Sequence, residues 1–428
     1  MTGVGALTDT PLNDSYKGIP PTQSLTLGEV GAQGWNVARG DLALPVLTLD
    51  AGAVQHNIAT MQRYCDRNRV RLAPHGKTTM SPQLFAAQLG AGAWAMTAAT
   101  PTQVAVMRRH GVDRVILANE LVDPVALRWL AGELERHPRF EFLCLVDHAD
   151  TVRQMDDVLS ESGSESTRRM AVLVEVGRHG GRAGVRSSGA ACGVAEAVHA
   201  AHHLELAGVE AFEGTYASAA DKQGLARIDE LLRSVRESVI AIAARGLFER
   251  DEVIVTAGGS MYFDRVIATL RDWPELGRPV SLVLRSGCYV SHDSGAYERS
   301  SALAARRAPG EELRLHNALT LWATVLSRPE PDVVIVGAGL RDAPVDRDLP
   351  APRSCFRDGV AIGGLPGAET YRVMDQHLFI RVPESAAVRP GDVVAFDLSH
   401  PCTAFDKFRF IPLVDERFDV RDGLLTFF

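Results

Sequence analysis

Apolar residues along the chain fall into two textures. From Val70 to Arg285, short and nearly continuous apolar runs alternate with longer stretches of helical spacing. The runs cover residues 70–73, 93–97, 114–118, 141–146, 171–176, 205–211, 252–256 and 281–285. Runs of this length without polar alternation predict strands buried on both faces. Between them, residues 102–110, 125–135, 190–202 and 228–244 repeat apolar positions every three to four residues, which predicts amphipathic helices. Eight strands with intervening helices predict a parallel (β/α)8 TIM-like barrel, with a doubly wound open sheet as the alternative.

The flanks read differently. Residues 44–50 form a strand pattern, and Val54, Ile58, Met61 and Tyr64 share one face of a following helix. After Leu284, helical runs become rare. Residues 333–337, 370–374, 378–382, 392–398 and 408–413 are short strand patterns punctuated by Gly, Pro and Asp. They predict a second, mostly antiparallel β domain. The expected organisation is an N-terminal extension over 1–40, a barrel over 51–287, and a β domain from 41–50 with 288–428. No internal repeat stands out, and the one low-complexity tract is a Ser/Glu-rich surface loop over 160–167.

Composition narrows the class of function. The 428 residues are 46% hydrophobic and 23% charged, with a net charge of −8. That charge gives no electrostatic reason to expect nucleic acid or an anionic membrane as partner. No apolar window approaches the roughly 18 residues of a membrane span, and the start lacks a signal pattern. A cytoplasmic enzyme acting on a small molecule is the expectation. The six cysteines are scattered singly, so reduced thiols are expected.

Candidate chemistry gathers after the strands, where barrel active sites lie. Lys77 stands at the end of the first barrel strand, in Leu72-Ala73-Pro74-His75-Gly76-Lys77-Thr78. An ordinary surface lysine is the plain alternative. The loop Gly177–Gly184 combines four glycines with Arg178, His179 and Arg182 and suits an anionic ligand. Glycine turns follow the last two strands, at Gly258-Gly259-Ser260 and Ser286-Gly287-Cys288, the usual phosphate corner of a barrel. His400 and Cys402, after a strand of the β domain, offer imidazole and thiolate to a borderline-soft metal such as zinc, or pack as a buried thiol beside a satisfied histidine. His199, His202 and His203 on one helix lack matching thiol or carboxylate ligands, and Val336–Leu340 lacks the third glycine of a dinucleotide turn.

Taken in order, the Pro74–Thr78 lysine motif, the Gly177–Gly184 loop with Arg182, Glu213-Gly214-Thr215-Tyr216-Ala217, Gly258-Gly259-Ser260, Ser286–Tyr289 and His400-Pro401-Cys402-Thr403 resemble the D-serine dehydratase and D-threonine aldolase family. These are pyridoxal phosphate enzymes of the alanine racemase fold type. The resemblance runs from about residue 44 to the C-terminus. It implies that Lys77 holds the cofactor as a Schiff base. It places Arg182 near the phenolic oxygen or the substrate carboxylate, and Tyr216 against the ring. It gives the phosphate to the corner of Gly258, Gly259, Ser260, Gly287 and Cys288. His400 and Cys402 match the metal pair of the dehydratases, where aldolases carry His-x-Asp. The resemblance also implies a homodimer.

The sequence departs from the family pattern at Cys288, usually asparagine, at Gln223, where a second tyrosine is usual, and at Met261-Tyr262 in place of a proline-bearing turn. These departures leave the substrate pocket open. The resemblance implies a zinc-dependent dehydratase of D-serine or a related D-β-hydroxy amino acid, with an aldolase as the alternative. A racemase or a non-catalytic cofactor carrier is further off. The partner of the pyridine nitrogen and the role of His377 are not given by the sequence.

Overall fold

The eight apolar runs become eight parallel strands: β1 (Arg71–Leu72), β2 (Met96–Ala98), β3 (Arg114–Glu120), β4 (Glu141–Val146), β5 (Met170–Glu175), β6 (Leu204–Glu210), β7 (Val253–Ala257) and β8 (Val280–Leu284). In this computed structural model, residues 4–161, 168–217 and 220–428 are described. Most of the Ser/Glu-rich loop expected over 160–167 therefore lies outside the described residues.

Each barrel strand pairs with its sequence neighbour, from β2 round to β8, and β8 pairs with β1. The remaining gap is spanned by a parallel bridge between His75 and Thr97, with the Thr97 N–H donating to the Pro74 carbonyl at 2.8 Å. The barrel reading holds and the open sheet does not. Its interior is filled by Ala73, Ala95, Ala171 and Ala207 with Ile116, Leu143, Leu145, Leu173, Ile254 and Val283, small residues mixed with branched ones as a closed ring of strands requires.

Gly208 marks a register shift where β6 passes β5. A Cβ there would stand 1.8 Å from the Ile254 carbonyl oxygen, so only glycine lets β6 and β7 approach. The amphipathic stretches form helices Pro101–Arg109, Pro124–Arg136, Ser188–Ala200 and Lys222–Ala244. Thr100, Asp123, Ser187 and Asp221 cap their first turns through side-chain oxygens.

These strands belong to one compact unit, Gln62–Lys77 with Gln88–Gly287. The other unit comprises Met1–Met61, Thr78–Ala87 and Cys288–Phe428. Its centre is the long strand Leu319–Glu330, paired antiparallel with Val46–Asp50, Val333–Val336 and Val393–Asp397. Phe410–Val414 adds beside Val46–Asp50 in parallel, and Val420–Leu425 closes that side. The sheet is mostly antiparallel, as its polar punctuation predicts. Its core joins Trp322 and Phe410 to Leu12, Ile19, Leu25 and Val30 of the N-terminal segment. The buried Trp322 indole donates to the Thr48 hydroxyl at 2.9 Å, which removes the cost of an unpaired N–H.

Candidate active site

In the barrel unit, β1 ends at Leu72, and Pro74, which has no N–H, cannot donate to a ladder. Lys77 sits in the single 3-10 turn Gly76–Thr78 that follows. His75 is held by the Thr97 bridge, and its Nδ1 has no partner among the described residues. Burial lowers the His75 pKa well below the usual imidazole value, and the charges of Lys77, Arg285 and Arg182 push the same way. Its ring is therefore neutral, with an unsatisfied nitrogen at the strand end.

Arg285, just after β8, is buried and pairs with Glu210, the last residue of β6. It also donates to the Thr256 hydroxyl at 2.9 Å and to the Ala211 carbonyl at 3.2 Å. Burial raises the Glu210 carboxyl, with Arg285 the strongest opposing influence, and Glu210 Oε2 has no partner among the described residues. The orphaned atoms of His75 and Glu210 are what a polar ligand at the strand ends would satisfy.

Glu175 ends β5 and is pushed up to about 9 by burial first, then by the Glu210 and Glu120 carboxylates, while Arg182 at 3.9 Å works against the shift. The folded chain thus holds this proton more tightly than an unfolded chain titrating at its ordinary 4.5. The resulting stability is complete below about pH 4.5 and is lost as pH climbs towards 9. Glu175→Gln, which keeps the neutral shape, is expected to flatten the fall in melting temperature over that window. A wild-type slope in the variant would refute the assignment.

The glycine turns are shaped by a carboxylate that the sequence pattern does not announce. The amides of Gly258 and Gly259 donate to the fully buried Glu213 at 3.1 and 2.7 Å. Their carbonyls accept from the Ser286 hydroxyl at 3.1 and 3.0 Å. The Gly287 N–H reaches Ser260 Oγ at 3.3 Å. Two of the amides assigned to a phosphate are thus engaged by Glu213, and Ser260 and Gly287 form the other part of the corner. Arg182 is half exposed and lies 5.3 Å over the Phe212 ring. The Tyr216 hydroxyl accepts from the Arg178 N–H at 3.2 Å, which ties the arginine-glycine loop to the tyrosine.

The chain leaves this unit after Lys77 and again after Gly287. The next residues, Thr78 and Cys288, belong to the sheet unit, where they meet Cys402. Thr78 Oγ1 is 3.3 Å from Cys402 Sγ and 3.8 Å from Cys288 Sγ, and the two sulfurs are 3.4 Å apart. All six cysteines are free thiols. His400 has a backbone φ of 68°, a left-handed conformation that costs a non-glycine residue about 1–3 kcal/mol. Its N–H donates to Asp293 at 2.7 Å, and its Nδ1 pairs with Asp346, which also accepts from the Thr403 hydroxyl at 2.6 Å.

A carboxylate on Nδ1 orients the ring and leaves Nε2 for a ligand, the usual arrangement around a metal-binding histidine. Among the described residues, no three His, Cys, Asp or Glu side chains converge on one point as a metal site. The donor chemistry, imidazole and thiol, nevertheless fits a borderline-soft metal. His377 is exposed and closes a hairpin turn through its carbonyl. His203 and His199 face Asp156 and Glu249.

Sequence reasoning gave no role to Glu210, Glu213, Asp293 or Asp346. A signal existed for Glu210, a lone acid ending an apolar strand. None existed for Asp346, which sits in an irregular segment.

A family model described as "Alanine racemase, N-terminal domain" matches residues 49–262, half of the chain. The chain belongs to this family. A second model, "Putative serine dehydratase domain", matches residues 318–414. D-threonine aldolase of an Arthrobacter species is 26% identical over 89% of this chain and 88% of its own length. Among solved structures, D-threonine aldolase from Filomicrobium marinum superposes with a TM-score of 0.74 at 24% identity, covering 92% of this chain and 96% of its own. A cysteine-to-alanine mutant of D-threo-3-hydroxyaspartate dehydratase in the metal-free form gives 0.70 at 20% identity, over 90% and 98%. The alanine racemase family member described here therefore has the expected fold type, and pyridoxal phosphate is its family's cofactor. No helix among its described residues is long and apolar enough to cross a membrane.

Proposed function

We propose that this chain is a pyridoxal phosphate- and zinc-dependent dehydratase that converts D-serine or a related D-β-hydroxy amino acid to a 2-oxo acid and ammonia. The observation that carries the reading is Cys402, a thiol two residues after an imidazole that a carboxylate orients. Relatives named for D-β-hydroxy amino acids support the substrate class.

Lys77 would hold the cofactor, with Ser260, Gly287 and the Cys288 amide on its phosphate, Tyr216 against its ring, and Gly258 and Gly259 shaping the corner. Pyridoxal phosphate, when bound, supplies the electron sink next to the substrate Cα. Lys77, the residue that would bind the cofactor, would also serve as the base for the substrate Cα proton. Arg182 binds a carboxylate or phenolate through its planar fork. The neutral His75 adds no positive charge beside the amine. Zinc on His400 and Cys402 would supply Lewis acidity towards a hydroxyl oxygen, a poor leaving group by itself.

A second reading, retro-aldol cleavage to glycine and an aldehyde, is favoured by the D-threonine aldolase relative that matches nearly the whole chain. Incubating the holoenzyme with a panel of D- and L-β-hydroxy amino acids separates the two. Ammonia and 2-oxo acid from D-substrates are expected. Glycine and aldehyde would replace the proposal with the second reading, and turnover of L-substrates alone would overturn the stereochemistry.

A further inference from the structure

Cys288 carries a side chain that the phosphate corner does not use. Its sulfur is buried, 3.4 Å from Cys402 Sγ, with the Thr78 hydroxyl 3.8 Å away and Tyr297 as a further hydrogen-bond partner. The separation of the sulfurs discriminates between two uses. A disulfide needs them about 2.05 Å apart, so both side chains would have to move together by well over an ångström. Two thiolates on one tetrahedral zinc, each about 2.3 Å from the ion, stand roughly 3.8 Å apart. The observed pair is within a few tenths of an ångström of the second arrangement.

We propose that Cys288 is a second sulfur ligand to the divalent metal that the proposed function places on Cys402, so that the site takes a thiophilic ion of the zinc and cadmium class. The inference rests on the metal role of Cys402. Charge and surroundings support it. A lone buried thiolate is costly, whereas two thiolates cancel the charge of one divalent ion. The hydroxyls of Thr78 and Tyr297 are placed to donate to the sulfurs, as outer partners of metal-bound thiolates do. Asp293 holds Tyr297 in place, accepting from its N–H at 2.9 Å and from the His400 N–H at 2.7 Å. One buried carboxylate therefore positions both the hydroxyl facing Cys288 and the backbone of the imidazole. Ions that prefer oxygen ligands, such as magnesium, gain little from two sulfurs.

The test uses the full-length holoenzyme titrated with cadmium and follows the sulfur-to-cadmium charge-transfer absorbance, whose amplitude scales with the number of Cd–S bonds. The unmutated protein is expected to show the amplitude of two bonds. Cys288→Ser and Cys402→Ser should each show about half of it, and the double variant none. Zinc affinity of Cys288→Ser, measured by competition with a chromophoric chelator, should fall at least about tenfold, the scale seen for losing even an outer partner. A one-bond amplitude in the unmutated protein overturns the inference without recourse to a variant. An undiminished band or unchanged zinc affinity in Cys288→Ser also overturns it, and leaves Cys402 as a ligand. No band in the unmutated protein overturns both this inference and the metal role of Cys402.

Discussion

Replacing Lys77 by alanine is expected to remove the absorbance of lysine-bound pyridoxal phosphate and to slow turnover of a D-β-hydroxy amino acid by at least about 10²–10⁴-fold, the contribution of a single well-placed general base. Lys77 occupies a short 3-10 turn whose geometry is fixed on both sides: His75 is bridged to Thr97, and Thr78 contacts the Cys402 thiol. Alanine is compatible with such a turn, so the melting temperature should stay near that of the parent. The cofactor can still enter the proposed phosphate corner, but nothing at position 77 can bond to it covalently. Dialysis should therefore strip cofactor from Lys77→Ala and not from the parent. A persistent lysine-bound band would refute the assignment of this residue, as would full activity in the variant.

How much of this was legible in the sequence depends on whether the determinant is local. Strand and helix periods in the barrel are local, and so the eight strands, the closed barrel and the four amphipathic helices match the expectation. Boundaries shift where a specific contact intervenes. The run at 93–97 becomes Met96–Ala98 because Trp94 first donates its N–H to the Leu72 carbonyl at 2.7 Å, outside a regular ladder. Motifs with a glycine, a lysine or a His-x-Cys pair were also visible, since each needs only adjacent residues.

The partners that set the chemistry of those motifs were not. Glu213 takes two amides of a turn 45 and 46 residues downstream, and Asp346 holds a ring 54 residues away. Such pairings are fixed by tertiary packing, and residue type alone does not announce them. The same holds for the sulfur pair of Cys288 and Cys402, 114 residues apart. Each is unremarkable by itself, and only the fold brings the two sulfurs together.

Glu210→Ala is expected to destabilise the barrel by about 3–5 kcal/mol, because it leaves a buried guanidinium with no counter-charge. Arg285 is 4% exposed and Glu210 fully buried, so water cannot readily replace the lost carboxylate. The partners left to Arg285, the Thr256 hydroxyl and the Ala211 carbonyl, are neutral acceptors. The loss should register in the denaturant transition of the barrel unit, with the midpoint lowered at unchanged slope. Removing both charges is a different experiment. Arg285→Met with Glu210→Leu exchanges the pair for apolar groups of similar size, and such exchanges are often neutral or stabilising. The double variant should therefore recover most of the stability lost in Glu210→Ala, while the single Arg285→Met should not. It should still fail as an enzyme if the orphaned Glu210 oxygen and the charge of Arg285 serve the cofactor beside His75. Recovery of stability without recovery of activity would separate the two roles of the pair. A single variant that loses less than about 1 kcal/mol would show that solvent reaches Arg285, and that the pair contributes no more than an exposed one.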